Sequence, residues 1–163
     1  MHAGAFEFVG KYATTDALTV IEIGSRDING SVRVHFPSAA WTGLDLHSGP
    51  AVDIVCDAID YEPAQPVDLV VCCEVFEHCE SWRDLIRKSF GWLKPSGRLI
   101  VTCAGDGREP HSAIDGGPLR LEEHYANIST DELAAAMQLA GFERIETASN
   151  EHWKDTYAIA VKS

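Results

Sequence analysis

Three acidic side chains sit at the ends of three apolar, β-branched runs. Glu22 lies within Val20-Ile-Glu-Ile-Gly24, Asp45 within Trp41-Thr-Gly-Leu-Asp-Leu46, and Asp57 in Cys56-Asp57-Ala58 just after Val52 to Val55. If these runs are neighbouring strands of a parallel sheet, their ends meet at the carboxyl edge, where such sheets bind ligands near the switch in strand order. Gly24, directly after the first run, lets the backbone turn tightly and approach a ligand. Asp45 follows roughly 20 residues later, the offset at which a carboxylate accepts from both hydroxyls of a ribose. Asp57 could accept from an adenine amino group. Glu22 and Asp27 suit a cationic ligand, such as a sulfonium carrying an ammonium group, better than a pyrophosphate. The rival is a nucleotide-cofactor Rossmann domain. That fold wants Gly-x-Gly-x-x-Gly to lay a pyrophosphate on a helix N-terminus, and here Gly24, Arg26 and Asn29 supply only the first glycine.

The elements that must position these residues alternate along the chain. A short helix is expected over Ala5 to Tyr12, with Phe6, Val9 and Tyr12 turned inward. Leu18 to Ile23, Trp41 to Leu46 and Val52 to Val55 read as strands. Ile28 to Phe36 has room for a short helix, stopped before Pro37. Val67-Asp-Leu-Val-Val-Cys-Cys73 is the most continuous apolar run and should be central in the sheet. After it, Ser81 is a candidate N-cap for a helix in which Leu85, Ile86, Phe90 and Leu93 recur at helical spacing. Lys94-Pro-Ser-Gly97 reads as a turn and Arg98 to Cys103 as a strand. Ala104 to Ile128 is a long stretch rich in Gly, Pro and charge, and a loop of that length in a compact domain is usually functional. A helix runs from Ser129/Thr130 to a stop at Gly141. Phe142 to Thr147 and Thr156 to Val161 are two closing strands, close enough in sequence to pair antiparallel. The expected fold is α/β: a Rossmann-like, mostly parallel seven-stranded sheet with an antiparallel closing strand and helices on both faces, in one domain over residues 1–163.

With these elements placed, Val20-Ile-Glu-Ile-Gly24, Gly43-Leu-Asp45, Cys56-Asp57-Ala58, Asp68-Leu-Val-Val-Cys-Cys-Glu-Val-Phe-Glu-His78 and Leu93-Lys-Pro-Ser-Gly97 resemble the successive motifs of class I S-adenosylmethionine-dependent methyltransferases, within them the small-molecule group. The resemblance implies S-adenosylmethionine as cofactor and a small-molecule or sugar-like methyl acceptor. It implies that Glu22 and Gly24 line the methionine part of the cofactor, and that Asp45 holds the ribose. Leu46 would then lie against the adenine, Asp57 and Ala58 would meet its edge, and Cys73 and Glu74 would pass beside the cofactor. The family's glycine loop has further glycines where this chain has Arg26 and Ile28, so Ser25 and Arg26 are cofactor-loop candidates of a less usual kind. His78 is the candidate general base, since the motif puts it at the mouth of the site and imidazole titrates near neutral pH; its other reading is a brace for the following helix. His111, His124 and Tyr125, on the long loop, could line the acceptor pocket or lie on ordinary surface. A non-catalytic cofactor-binding subunit of a larger complex is the alternative from another class.

No metal site is expected. Glu74 and His78 are four residues apart with Cys72, Cys73 and Cys79 near, but adjacent strand residues point to opposite faces and no Cys-x-x-Cys pair exists. The net charge of −12, with 13 Lys and Arg that form no run, argues against a nucleic-acid partner. The motifs of amino- and cytosine-5-methylating nucleic-acid enzymes are likewise missing around Cys73-Glu74-Val75-Phe76. No segment approaches the roughly 20 apolar residues of a membrane span. Met1 to Gly10 lacks the pattern of a signal peptide. Five clustered cysteines, an odd number, do not form a disulfide framework, and a cytoplasmic location follows. A homo-oligomer is compatible with all of this.

Overall fold

The computed structural model describes residues 3–163. Strands β1 (Thr19–Ile23), β2 (Ala40–Asp45), β3 (Ile54–Val55), β4 (Val67–Cys73), β5 (Leu93–Ala104), β6 (Arg144–Asn150) and β7 (Asp155–Val161) form one sheet in the order β3-β2-β1-β4-β5-β7-β6. The first five pair in parallel. β7 runs antiparallel between β5 and β6. This is the mostly parallel, seven-stranded α/β sheet that the sequence pattern predicts.

The pleat sorts side chains into two cores. From β4, Val70 and Cys72 face one side while Leu69 and Val71 face the other. On the first side lie helices α2 (Trp82–Trp92) and α3 (Thr130–Ala140), which bury Trp82, Leu85, Ile86, Leu133 and Met137 against Ile21, Val101 and Ala160. On the second, among the described residues, lie only the eight-residue helix α1 (Ala3–Gly10) and a 3₁₀ turn, Val32–His35. His35 joins these two: its Nε2 is 3.1 Å from the Phe6 carbonyl and its ring packs on the Phe6 ring.

α3 starts at a reciprocal capping box, in which Ser129 Oγ accepts from the Glu132 amide and Glu132 accepts from the Ser129 amide. It stops at Gly141, whose φ of 108° is left-handed.

Several local expectations shift. The helix over Ile28 to Phe36 shrinks to the 3₁₀ turn, because Asp27 Oδ1 accepts from the Gly30 amide and Ser31 Oγ from that of Arg33, which holds the chain in turns until residue 32. In α1 the inward aromatic is Phe8, which stacks on Tyr157, while Phe6 and Tyr12 are only half-buried. Lys94 to Gly97 is not a separate turn but an irregularity inside β5: Val67 pairs with Leu93 and Leu69 with Arg98. Ser81 precedes α2 without making a side-chain cap.

Candidate functional site

The carboxyl ends of β1, β2, β3 and β4 open into one cavity of about 900 Å³, closed on its far side by residues 108–118. That volume lies at the upper end of ordinary ligand sites. The corner after β1 is made by Gly24, at φ 71°, whose missing side chain leaves room for Val75: an added Cβ would stand 2.2 Å from Val75 Cγ2. The amides of Gly24 and Ser25 both donate to the Leu44 carbonyl, 2.9 and 3.0 Å away, so the loop is sewn to β2.

Asp45 completes that seam. Its Oδ2 accepts from the Arg26 amide at 3.1 Å and its Oδ1 from the His47 amide at 2.9 Å. Beside it Leu46 is 64% exposed at the cavity wall. Ala58 lines the same wall, and Asp57 Oδ1 accepts from the Ile59 amide. Ser25 is buried on the cavity surface and its hydroxyl has no hydrogen-bond partner.

Glu22 faces the thin side of the sheet. Its Oε2 takes a 2.8 Å hydrogen bond from Arg33 Nε, and Arg33 also donates to the Ala51 carbonyl and lies over the Trp41 ring. Burial pushes the Glu22 carboxyl up and Arg33 pulls it back. Glu22 therefore lines the cavity as half of an ion pair rather than as a bare charge. Gly43 makes room for this arrangement, since a Cβ there would fall 2.6 Å from both Arg33 Nη2 and Ser25 Oγ.

At the end of β4, Cys73 and Glu74 line the cavity. Burial pushes the Cys73 thiol far up, so it stays protonated and is no nucleophile. Glu74 holds a left-handed φ of 58°, rare for a residue with a side chain and typical of ligand-binding corners. Its amide donates to the Thr102 carbonyl and its Oε1 accepts from the Thr102 hydroxyl at 2.9 Å.

A second 3₁₀ turn, Phe76–His78, then carries two titratable groups beyond the end of β4. His78 lines the cavity; burial and the nearby His111 lower its pKa to about 4, so its imidazole is neutral. Its ring packs at 5.0 Å from that of His111 and 5.4 Å from that of Tyr125. Glu77, which the sequence reading passed over, is fully buried beside it. Burial pushes its carboxyl far up, and the charge of Glu74 adds to the shift. One ligand-capable atom from each of Glu77, His78 and His111 lies within 4.8 Å of the others. The adjacent Glu77-His78 pair is the sequence signal for this cluster.

The long segment after β5 carries no helix or named strand before α3. It folds back on itself through a bridge between His111 and Pro118, held by Ser112 Oγ donating to Glu123 at 2.7 Å. At its base Arg108 pairs with the buried Asp155 at 2.9 Å, and the Tyr157 hydroxyl donates to the same carboxylate. Of the three residues expected to line an acceptor pocket, only His111 is in the cavity wall. Tyr125 packs behind His78 and His111, and His124 turns toward Glu80, 3.6 Å away. Glu22, Gly24, Ser25, Arg26, Asp45, Leu46, Asp57, Ala58, Cys73 and Glu74 are all brought to the one cavity.

Residues 9–147 match the family described as "Methyltransferase domain". No curated protein matches the chain by sequence. Among solved structures, the chain is similar to a candidate O-methyltransferase from Nostoc punctiforme, with a TM-score of 0.71 and 20% identity over 98% of this chain and 56% of that one. It is also similar to the 1,6-didemethyltoxoflavin-N1-methyltransferase of Burkholderia thailandensis, bound to 1,6-didemethyltoxoflavin and S-adenosylhomocysteine (TM-score 0.71, 14% identity, 99% of this chain and 77% of that one). A third is phosphoethanolamine N-methyltransferase 2 of Haemonchus contortus in complex with S-adenosyl-L-methionine (TM-score 0.70, 16% identity, 98% and 52%). The chain thus spans little more than half the length of the first and third of these.

Proposed function

The chain belongs to the methyltransferase-domain family, and from that premise we propose that it moves a methyl group from S-adenosylmethionine to a small-molecule acceptor. The observation that carries this reading is the order of groups around the cavity: the Gly24 corner, then Asp45 with exposed Leu46, then Asp57 with Ala58, on neighbouring strand ends.

These residues fit the cofactor. A carboxylate accepts about four hydrogen bonds; Asp45 uses two on backbone amides, which leaves capacity for the two ribose hydroxyls. Leu46 and Ala58 offer apolar surface to the adenine, and Asp57, whose Oδ1 takes the Ile59 amide, would accept from its amino group through Oδ2. The partnerless hydroxyl of Ser25 suits the amino-acid end. Glu22 departs from the expected role, because Arg33 already neutralises it and it serves to shape the floor.

The cofactor supplies a methyl group activated on a sulfonium. Transfer is an in-line displacement, for which the protein has mainly to hold donor and acceptor collinear at close range. The loop bonds from Gly24, Ser25 and Asp45 fix the donor end, and residues 108–118 close the acceptor end. His78 is neutral at pH 7 and so able to accept a proton, although a group near 4 is a weaker base than free imidazole. A small acceptor suits the remaining space beside His78, His111 and Ile114. None of the five cysteines is paired, which suits a reducing cytoplasm. No helix among the described residues is long and apolar enough to cross a membrane.

Calorimetric titration with S-adenosylmethionine and S-adenosylhomocysteine, with NAD as control, tests the reading. Micromolar binding of the first two alone is the expected outcome. A folded protein that binds neither, or binds NAD equally well, would overturn it.

A further inference from the structure

We propose that Glu77, His78 and His111 bind one divalent transition-metal ion of the zinc type, with an open coordination position facing the cavity. Their ligand-capable atoms lie within 4.8 Å of one another. Two come from the 3₁₀ turn that follows β4 and the third from the 111–118 hairpin, so the cluster ties the loop to the sheet.

The polar atoms here lack other work. Glu77 is fully buried, and neither carboxylate oxygen has a hydrogen bond of ordinary geometry; its own amide and that of Ala104 face it without completing one. His78 Nδ1 is buried and partnerless as well. A buried ionisable group in this state is costly unless a counter-charge joins it, and one cation would satisfy the carboxylate and both imidazoles together.

The backbone also orients the rings. Nδ1 of His111 lies 3.1 Å from the Glu109 carbonyl, which leaves its Nε2 free. The His124 backbone stands against the His78 ring, whose Nδ1 is left without a partner. A carbonyl behind each imidazole is the usual way a metal-binding histidine is held.

The donor set decides the class of ion. Two imidazoles and one carboxylate match three-ligand zinc sites that keep a fourth position open. Magnesium and calcium want more oxygens than this cluster offers. His78 and His111 both line the cavity, so the open position points where the acceptor would lie.

This last step rests on the methyltransferase reading and narrows it to acceptors that present a hydroxyl. Coordination lowers the hydroxyl's pKa, so its proton passes to water, and His78, as a ligand, is then not the base. The oxygen lone pair then forms the new O–C bond, while the electrons of the breaking S–C bond return to sulfur.

The test uses the full chain, stripped with a chelator and titrated calorimetrically with zinc, with manganese and magnesium in parallel. One zinc ion per chain is expected, bound at least 10-fold more weakly by Glu77→Gln and by His111→Ala, each checked for folding by circular dichroism. Absence of zinc binding, or wild-type affinity in His111→Ala, overturns the site. His111 is half-buried on a mostly exposed hairpin, so its variant decides the matter even if Glu77→Gln does not fold. S-adenosylmethionine affinity in the same samples keeps the two readings apart. Cofactor binding without zinc binding removes only the metal site, and zinc binding without cofactor binding removes only the hydroxyl-acceptor role.

Discussion

Gly24→Ala should destabilise the protein by about 2–4 kcal/mol, and most of that cost should vanish when Val75 is also cut to alanine. Two effects add. At φ 71° a side chain crowds the following carbonyl, which costs about 1–2 kcal/mol, partly offset by about 0.4–1 kcal/mol because alanine restricts the unfolded chain. The second effect is steric. The new methyl would sit 2.2 Å from Val75 Cγ2, an overlap of the kind that costs about 1–3 kcal/mol in packed interiors. In a Val75→Ala background Cγ2 is gone, and the remaining Val75 Cβ is 3.6 Å away, an ordinary contact. There the same glycine substitution should cost only about 1 kcal/mol, the backbone share. Urea unfolding of the four proteins in a double-mutant cycle measures the coupling, expected at about 1–3 kcal/mol. Equal cost in both backgrounds would refute the steric account of this corner.

Asp45→Ala should lose about 1–2 kcal/mol by orphaning the amides of Arg26 and His47, and should weaken S-adenosylmethionine binding at least 10-fold in calorimetry; unchanged affinity would sink the ribose assignment. Arg108→Met strips a guanidinium from the buried Asp155 and should cost about 3 kcal/mol, with faster proteolysis of the 105–128 segment; an unchanged cleavage rate would show that the ion pair does not anchor it. Asp68 gives a pH signature. Burial alone would raise its carboxyl, but Lys94 and the amide and hydroxyl of Thr19 hold it at about 2, below the usual 3.8. A depressed pKa contributes stability that is present above pH 3.8 and lost as pH falls toward 2. Asp68→Asn should thus be less stable than wild type at pH 7, and the gap should close over that acid window; a gap independent of pH would refute the linkage.

Much of the sheet was legible because its strands are apolar and bounded. β4 ran over the expected residues, since Val67 to Cys73 is buried on both faces and its pattern has no competitor. The closing strands were readable from Gly141 and from the β-branched run ending at Val161. The helix expected after β1 failed because side-chain bonds from Asp27 and Ser31 turn the backbone, and apolar spacing does not register such bonds. The cofactor edge was readable because each candidate sits at the end of a readable strand. The acceptor end was not: His111 reaches His78 through a hairpin within a segment that has no periodicity. Arg33 was invisible for a related reason, since its partner Glu22 became available only once the 3₁₀ turn was docked.

The place of β7 bears on how the chain can fold as it is synthesised. β5 needs β7 along its second edge, and among the described residues β6 pairs with no strand except β7. β7 is translated after both. Until it emerges, the twelve-residue β5 presents an open row of amides and carbonyls, and β6 has nothing to join. The nascent sheet therefore carries a sticky margin until β7 is made. Its exposure ends only when a late strand threads between two earlier ones, a slow non-local pairing.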